Sequence, residues 1–556
     1  MAKKHEDYLR EVFEENNAIY TSSELIKKIR EKFYDCTPEN ARKIIETAVK
    51  SNIIKSTKPL TLGHNQFAYY NPFSNLSVND INKLIRHNRP GMYRIMQRLN
   101  ENLGVISYFE ALKLAACPVK KSQSKTNRLY ELIKILEEME LVRKESNWGI
   151  PYLVSYDIGA SAAISLMRDH HYNMQLDCMF IPTFLVWLQR HNIINSNTPI
   201  YRNKTTPSTG VVHNNLVWDA IAYTDTTGFY EYIGDKDEEK QTLVALDIKI
   251  KNSYTSIDLD GFYDRIQIHR NSVKDKNNRR KILPIVVCNE VDNEAKAKMN
   301  RLKFLCFDLG TVFGERIYEI VEKLKIISIP SLFINKEEFN PGYIAGQVET
   351  ALSALQESGQ EANLGNLKGE LFERLMYHVI RTIYSRRLCG EIRQGYTINS
   401  TNNGKKEGYE YDFLVETDDE FIVFEVKGYK GATYIKMGEF EEKTQKPQKN
   451  TVKWFFGLTF PYIKEHLRIN PFKKPVKACY ITTARFDEEA LSTLNKINCS
   501  KDKPDELEVY YDGNKLLKLL EEYKLEKEIR ILKQYYEVIT EGEKRRRKQK
   551  IETIKL

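Results

Sequence analysis

Between Gly408 and Lys430 the chain reads GYEYDFLVETDDEFIVFEVKGYK, and no other stretch constrains the fold as much. Two short apolar runs, residues 411–415 and 421–426, flank an acidic turn at 416–420, the pattern of a β-hairpin. Asp412 heads the first run. Glu425 and Lys427 close the second, two apart and so on the same face of a strand. Pairing the runs brings Asp412 beside Glu425, placing two carboxylates and an amine in one small space. Like charges gathered in this way raise each other's pKa and cost stability unless a cation neutralises them. A hard divalent ion such as Mg²⁺ does so through oxygen ligands, and a lysine beside it orients or activates a water. A solvated hairpin with a surface Glu/Lys pair is the alternative. Against it, charges set inside apolar runs are costly to bury without a role.

The spacing D-x12-E-V-K of Asp412, Glu425 and Lys427 resembles the PD-(D/E)xK nuclease superfamily, with Tyr411-Asp412 where that family often has Pro-Asp. Upstream, LGNLKGELFERLMYHVI over 364–380 carries apolar residues at helical spacing, an amphipathic helix with Gly369 at its start. Its run Lys368-Gly369-x-x-x-Glu373 is similar to the first motif of Mrr-like and junction-resolving members. In those proteins a helical glutamate completes the metal site, a role the resemblance gives to Glu373, with Glu370 as the alternative. Downstream, a buried strand at 477–483 leads into TTARFDEEAL, and a second strand at 507–513 into YYDGNKLLKLL. That order resembles the Mrr-like restriction endonuclease catalytic domain over roughly residues 363–525.

The resemblance implies Mg²⁺, with Mn²⁺ substituting, held by Asp412, Glu425 and Glu373 and by the Val426 carbonyl. Lys427 would position or deprotonate the attacking water, and the products would carry 5′-phosphate and 3′-hydroxyl ends. Lys430, Lys436 and Lys443 follow the motif as candidates to hold the phosphate backbone, with Gln445 and Gln448 as further polar helpers.

At 556 residues the chain is long enough for roughly three or four domains. Its 41% hydrophobic and 29% charged residues are those of an ordinary soluble protein. No apolar run is long enough to span a bilayer, and MAKKHEDYLR lacks a signal-peptide core, so a cytoplasmic protein is expected. Eight scattered cysteines with no CxxC pair argue against disulfides and a zinc site. Nothing points to a small-molecule cofactor. A net charge of +9 permits a polyanionic partner such as DNA.

The expected architecture is α/β and multidomain: two N-terminal winged-helix domains followed by two restriction-endonuclease-like α/β/α domains. Residues 1–74 read as three helices, at 5–16, 22–33 and 38–51, and a hairpin over 54–70, with Thr21 and Thr37 placed as N-caps. The third helix would offer Arg42, Lys43 and Lys50 to DNA. After a helical stretch at 78–101, residues 75–155 repeat the outline, with 124–141 as the reader helix carrying Lys125 and Arg128, and Lys120, Lys121 and Lys134 nearby. Winged helices also join domains or bind partner proteins, and that alternative stays open.

Residues 156–330 read as a diverged second copy of the nuclease fold. The strand, acidic turn and helix of 281–300 parallel 476–495, and FLCFDLG at 304–310 parallels VYYDG at 509–513. A hairpin of 217–223 with 242–249 would hold Asp219, Asp247 and Lys249, with a helix at 260–269 after it. Its loop, 224–241, is long, and no Gly-x-x-x-Glu precedes it on the apolar helical stretches 160–167 and 180–190. Asp177 is the nearest substitute. A second working site, a retired domain that shapes DNA binding or dimerises, and an unrelated α/β domain all remain open. Residues 331–362 read as a connector with one helix, and 526–556 as a helical tail ending in Lys544-Arg-Arg-Arg-Lys548.

The function expected is a metal-dependent DNA endonuclease of restriction or phage defence. The alternatives are a repair or junction-resolving nuclease and a non-catalytic DNA-binding regulator. Double-strand scission would need two active sites, from two copies within the chain or from a homodimer.

Overall fold

A computed structural model describes residues 2–14, 18–62, 66–74, 76–120, 128–147, 150–195, 198–204, 206–225, 241–272, 280–327, 341–358, 364–389, 392–402, 405–441, 446–468 and 474–539. The molecule is mixed α/β, with several separate sheets in sequence along the chain.

The first unit runs α1 (Ala2–Glu14), β1 (Tyr20–Thr21), α2 (Ser22–Lys32), α3 (Pro38–Lys50), β2 (Lys55–Ser56) and β3 (Ala68–Tyr70). Thr21 and Thr37 accept hydrogen bonds from the backbone N–H groups of Glu24 and Asn40, so both predicted caps are made. Leu25 and Ile29 of α2 and Ala41 and Ile45 of α3, spaced by four, bury against Leu9 and Phe13 of α1. The strands close the unit as an antiparallel sheet of order β1-β3-β2.

The predicted helical stretch at 78–101 is two helices, α4 (Val78–Asn88) and α5 (Pro90–Glu101). Pro90 forces the break, because the residue before a proline is steered out of the helical region, and Arg89 has φ −139°. β4 (Val105–Ser107), α6 (Tyr108–Ala115), α7 (Leu129–Glu138), β5 (Val142–Asn147) and β6 (Ile150–Ser155) follow. Their antiparallel sheet has the order β4-β6-β5, matching the first unit strand for strand.

α8 (Ala160–Arg190) is a single helix that runs through Pro182, where two apolar helical stretches were expected. The middle unit continues with β7 (Ile200–Tyr201), β8 (Val211–His213), β9 (Leu216–Trp218), β10 (Ala220–Thr224), β11 (Thr242–Lys249) and α9 (Ser256–Asn271). It ends with β12 (Ile282–Cys288), α10 (Asn293–Leu302), β13 (Leu305–Asp308), α11 (Leu309–Phe313) and α12 (Arg316–Ile327). The run 217–223, expected as one strand, divides at Asp219: β9 pairs with β8, and β10 with β11.

The C-terminal unit comprises α13 (Pro341–Glu357), α14 (Gly365–Ile383), β14 (Arg393–Asn402), β15 (Lys405–Glu416), β16 (Phe421–Lys427) and β17 (Tyr434–Ile435). α15 (Val452–Trp454) passes through a π-helical turn into α16 (Phe460–Leu467). β18 (Val476–Thr482), β19 (Arg485–Phe486), α17 (Glu488–Asn498), β20 (Tyr510–Tyr511), α18 (Gly513–Glu522) and α19 (Glu526–Tyr535) complete it. Gly369 lies inside α14 and not at its start.

The two larger sheets have one plan. In β7-β10-β11-β12-β13 and in β14-β15-β16-β18-β20, the first two pairings are antiparallel and the last two parallel. The helices after the parallel strands are capped alike, Asp292 and Asp487 on α10 and α17, Asp308 and Asp512 on α11 and α18. Central strands β11 and β16 are buried almost throughout, as parallel neighbours covered on both faces require.

One hydrophobic core spans both units, joining Phe180 and Phe184 of α8 to Leu371 and Leu375 of α14. The predicted connector takes part in this core: α13 contributes Val348, Leu352 and Leu355 to it. Among the described residues no helix is long and apolar enough to cross a membrane.

Candidate functional site

The β15–β16 ladder ends with Phe413 opposite Phe424, and Asp412 and Glu425 are the next residues along the two strands. Lys427, two residues beyond Glu425, turns to the same side and bridges them, its Nζ 3.0 Å from Asp412 Oδ2 and 3.0 Å from Glu425 Oε1. The backbone N–H of Val426 donates to Asp412 Oδ2 at 2.6 Å, fixing the carboxylate where the strands part. α14 lies close over this end of the sheet. A Cβ on Gly428 would stand 2.5 Å from Cβ of Phe372, so the glycine after Lys427 permits that approach.

α14 carries Glu370 and Glu373 to a cleft shared with Asp412, Glu410, Arg374 and Gln394. Glu410 does not stand out in the sequence, although it precedes Asp412 by two on the same strand. The cleft also receives Lys204, from just beyond β7 of the middle unit. Its Nζ pairs with Glu370 Oε1 and lies 3.1 Å and 3.2 Å from the two oxygens of Glu373.

Burial and the neighbouring Glu370 push the Glu373 carboxyl up to about 8. Burial, then Asp412, raises Glu410 to about 7. Glu425 also rises to about 7, burial outweighing the relief that Lys427 provides. Burial pulls the Lys427 ammonium down, but Asp412, Glu425 and Glu373 outweigh it and hold the group charged well above the usual lysine range.

Asp219 and Asp247 of the middle unit also come together, in the same relation to their sheet. The N–H of Ile248 donates to Asp219 Oδ2 at 2.9 Å, as that of Val426 does to Asp412. Here, however, both acids are paired with cations from other elements. Lys113 of α6 lies 2.5 Å from Asp219 Oδ2 and 3.0 Å from Asp247 Oδ1. Arg202 Nε stands 2.9 Å from Asp219, and Arg265 donates to Asp247 at 2.7 Å. Burial alone would raise Asp247, but Lys113 and Arg265 hold it well below the usual carboxylate range. Lys249 pairs with Asp258 at 2.8 Å. Asp177, on α8, lines this cleft and accepts from the N–H of Ile250 at 2.7 Å.

Arg42, Lys43 and Lys50 are exposed along α3, interspersed with Glu39 and Glu46. Arg128 sits half-buried at the start of α7, and Lys134 is exposed on it. Lys430 is exposed and 3.3 Å from Glu537. Lys121, Lys125, Lys443, Gln445 and the basic run 544–548 lie outside the described residues.

Among the described residues no three His, Cys, Asp or Glu side chains form a ready cation shell. Ammonium groups stand where a shell would close, Lys427 on Asp412 and Glu425, Lys204 on Glu370 and Glu373. The donor set nevertheless suits Mg²⁺: the hard carboxylate oxygens of Glu370, Glu373, Glu410 and Asp412 gather at one cleft, Glu373 and Glu410 raised first by burial and then by neighbouring acids.

No protein-family model and no curated protein matches the chain. The crystal structure of protein VC1899 from Vibrio cholerae aligns with 44% of this chain and 91% of its own, at 9% identity and a TM-score of 0.21. A likeness that faint carries no argument.

Proposed function

We propose that the C-terminal unit is a metal-dependent DNA endonuclease of the PD-(D/E)xK kind, serving restriction or phage defence. We read the two N-terminal units as winged helices that deliver it to DNA, and the middle unit as a copy of the same fold that has given up chemistry. The observation that carries this reading is that Lys427 bridges Asp412 and Glu425 at the end of their shared ladder, with Glu373 on the cleft that Asp412 lines.

Asp412, Glu425 and Glu373 would hold Mg²⁺ or Mn²⁺, which when bound polarises the scissile phosphodiester. Lys427, held firmly charged, serves as a fixed cation that orients the attacking water and steadies charge growing on the phosphate. It is a poor proton acceptor. Glu410, which burial raises to about 7 and which is not among those ligands, is better matched to take the water's proton at neutral pH.

The middle acids are spent on Lys113, Arg202 and Arg265, and Lys249 is turned to Asp258, which favours a structural role for that cluster. One observation favours the reading of a non-cutting DNA-binding regulator: Lys204 already pairs with Glu370 and Glu373 in the C-terminal cleft.

Incubating supercoiled plasmid with the full chain and Mg²⁺, then with EDTA, separates the readings. Cutting that needs the metal is expected. Lys427→Ala should lower it by about a hundredfold or more while leaving DNA binding intact, and Lys249→Ala, per folded molecule, should not. Cutting that survives Lys427→Ala but vanishes with Lys249→Ala would transfer the activity to the middle unit.

A further inference from the structure

Arg202 and Lys204, two residues apart just beyond β7, enter the acid clusters of different units. The guanidinium of Arg202 is buried at 2% exposure, its Nε 2.9 Å from Asp219 Oδ1 and its Nη1 donating to the Pro207 carbonyl at 2.9 Å. The backbone here is thereby anchored to the middle unit. Lys204 reaches the other way, onto Glu370 and Glu373, with its side chain 28% exposed. An anchored backbone with a long, partly solvated side chain describes a group that can swing out without disturbing its unit.

Glu373 faces Asp412 across the cleft, so a divalent ion drawn to those oxygens meets an ammonium within about 3 Å of them. Lys204 already pairs with oxygens of both glutamates, so it competes with the ion for them, and like charge sets the two against each other.

We propose that Lys204 is a built-in counterion that competes with the divalent metal for Glu370 and Glu373, so that the middle unit sets the metal affinity of the C-terminal cleft. This rests on reading that cleft as a metal-dependent nuclease site. Lys113 offers the comparison: it occupies the middle cluster in the same manner, but with only 14% of its side chain exposed and both of its acids further engaged by arginines. Lys113 is closed in by its partners, whereas Lys204 keeps a side open to solvent.

The test is Mn²⁺ binding to the full chain without DNA, followed by calorimetry and by the electron-spin signal of free Mn²⁺. Lys204→Met is expected to tighten binding by about tenfold or more, which is about 1.4 kcal/mol, and Lys204→Arg to leave it near the parent value. Should Lys204→Met fail to fold, amine-reactive labelling of the parent chain reads the same event: Mn²⁺ should increase labelling at Lys204. Unchanged or weaker binding in Lys204→Met, or labelling that Mn²⁺ leaves flat or lowers, would overturn the proposal. Plasmid cutting measured alongside keeps the two readings apart. Metal-dependent cutting with unaltered Mn²⁺ affinity removes the counterion alone, while neither cutting nor Mn²⁺ binding in any variant removes the nuclease reading and the counterion with it.

Discussion

The Glu373 carboxyl titrates near 8 in the folded chain, against about 4.3 for a glutamate in an unfolded one. The folded state therefore binds this proton more tightly. Its contribution to the stability of the metal-free protein is complete below about pH 4 and is lost as pH climbs through about 8. In EDTA the melting temperature is expected to fall between pH 6 and pH 9, and in Glu373→Gln, which cannot ionise, to fall less by about 2–4 °C. Calorimetric melts across that range check it. Parallel falls in both proteins would show that Glu373 ionises as an ordinary surface carboxylate. The positions of Asp412, Glu425 and Lys427 were legible because a strand alternates its faces every second residue. Glu410 obeys the same period but escapes notice, since the apolar run starts only at Tyr411. Lys204 left no local signal, because an ion pair with partners 166 and 169 residues away obeys no period along the chain.

Among the elements, α3 presents the clearest basic face in the first unit, yet Glu39 and Glu46 share it and Arg42 lies 3.8 Å from Glu39. A mixed face can be a solvated surface as readily as a DNA reader, and salt dependence tells them apart. Replacing Arg42, Lys43 and Lys50 with alanine should lower the slope of log affinity against log salt by about 0.9 for each phosphate no longer neutralised. A slope identical to the parent's would assign DNA binding to other elements. Helix starts were legible wherever a cap announced them, as at Thr21 and Thr37. The repeated strand, acid and helix order likewise foretold the shared plan of the two large sheets. The break at Pro90 had a local signal in the proline itself, whereas the unbroken passage of α8 through Pro182 shows that a proline alone does not settle whether a helix ends. The role of α13 was hidden because an apolar helix beside a polar run reads the same whether it links units or fills a core.

For the molecule as a whole, the proposed reading gives each chain one cutting centre, since among the described residues the middle acids are taken by Lys113, Arg202 and Arg265. A single chain should nick one strand, and linear DNA should appear only when a second chain joins it. Supercoiled plasmid is accordingly expected to convert to open circle in proportion to protein concentration, with linear product rising more steeply, about as its square. Linear product appearing in direct proportion would mean that one chain holds two working centres. The bond between the units is nevertheless permanent, because α8 is a party wall. Gln175 meets Arg374 on one side of it, while Asp177, two residues on and so roughly opposite around the helix, props the backbone at Ile250 on the other. Whatever chemistry the middle unit does or lacks, it holds up its neighbour's room: substitutions along α8 are felt on both sides of the wall.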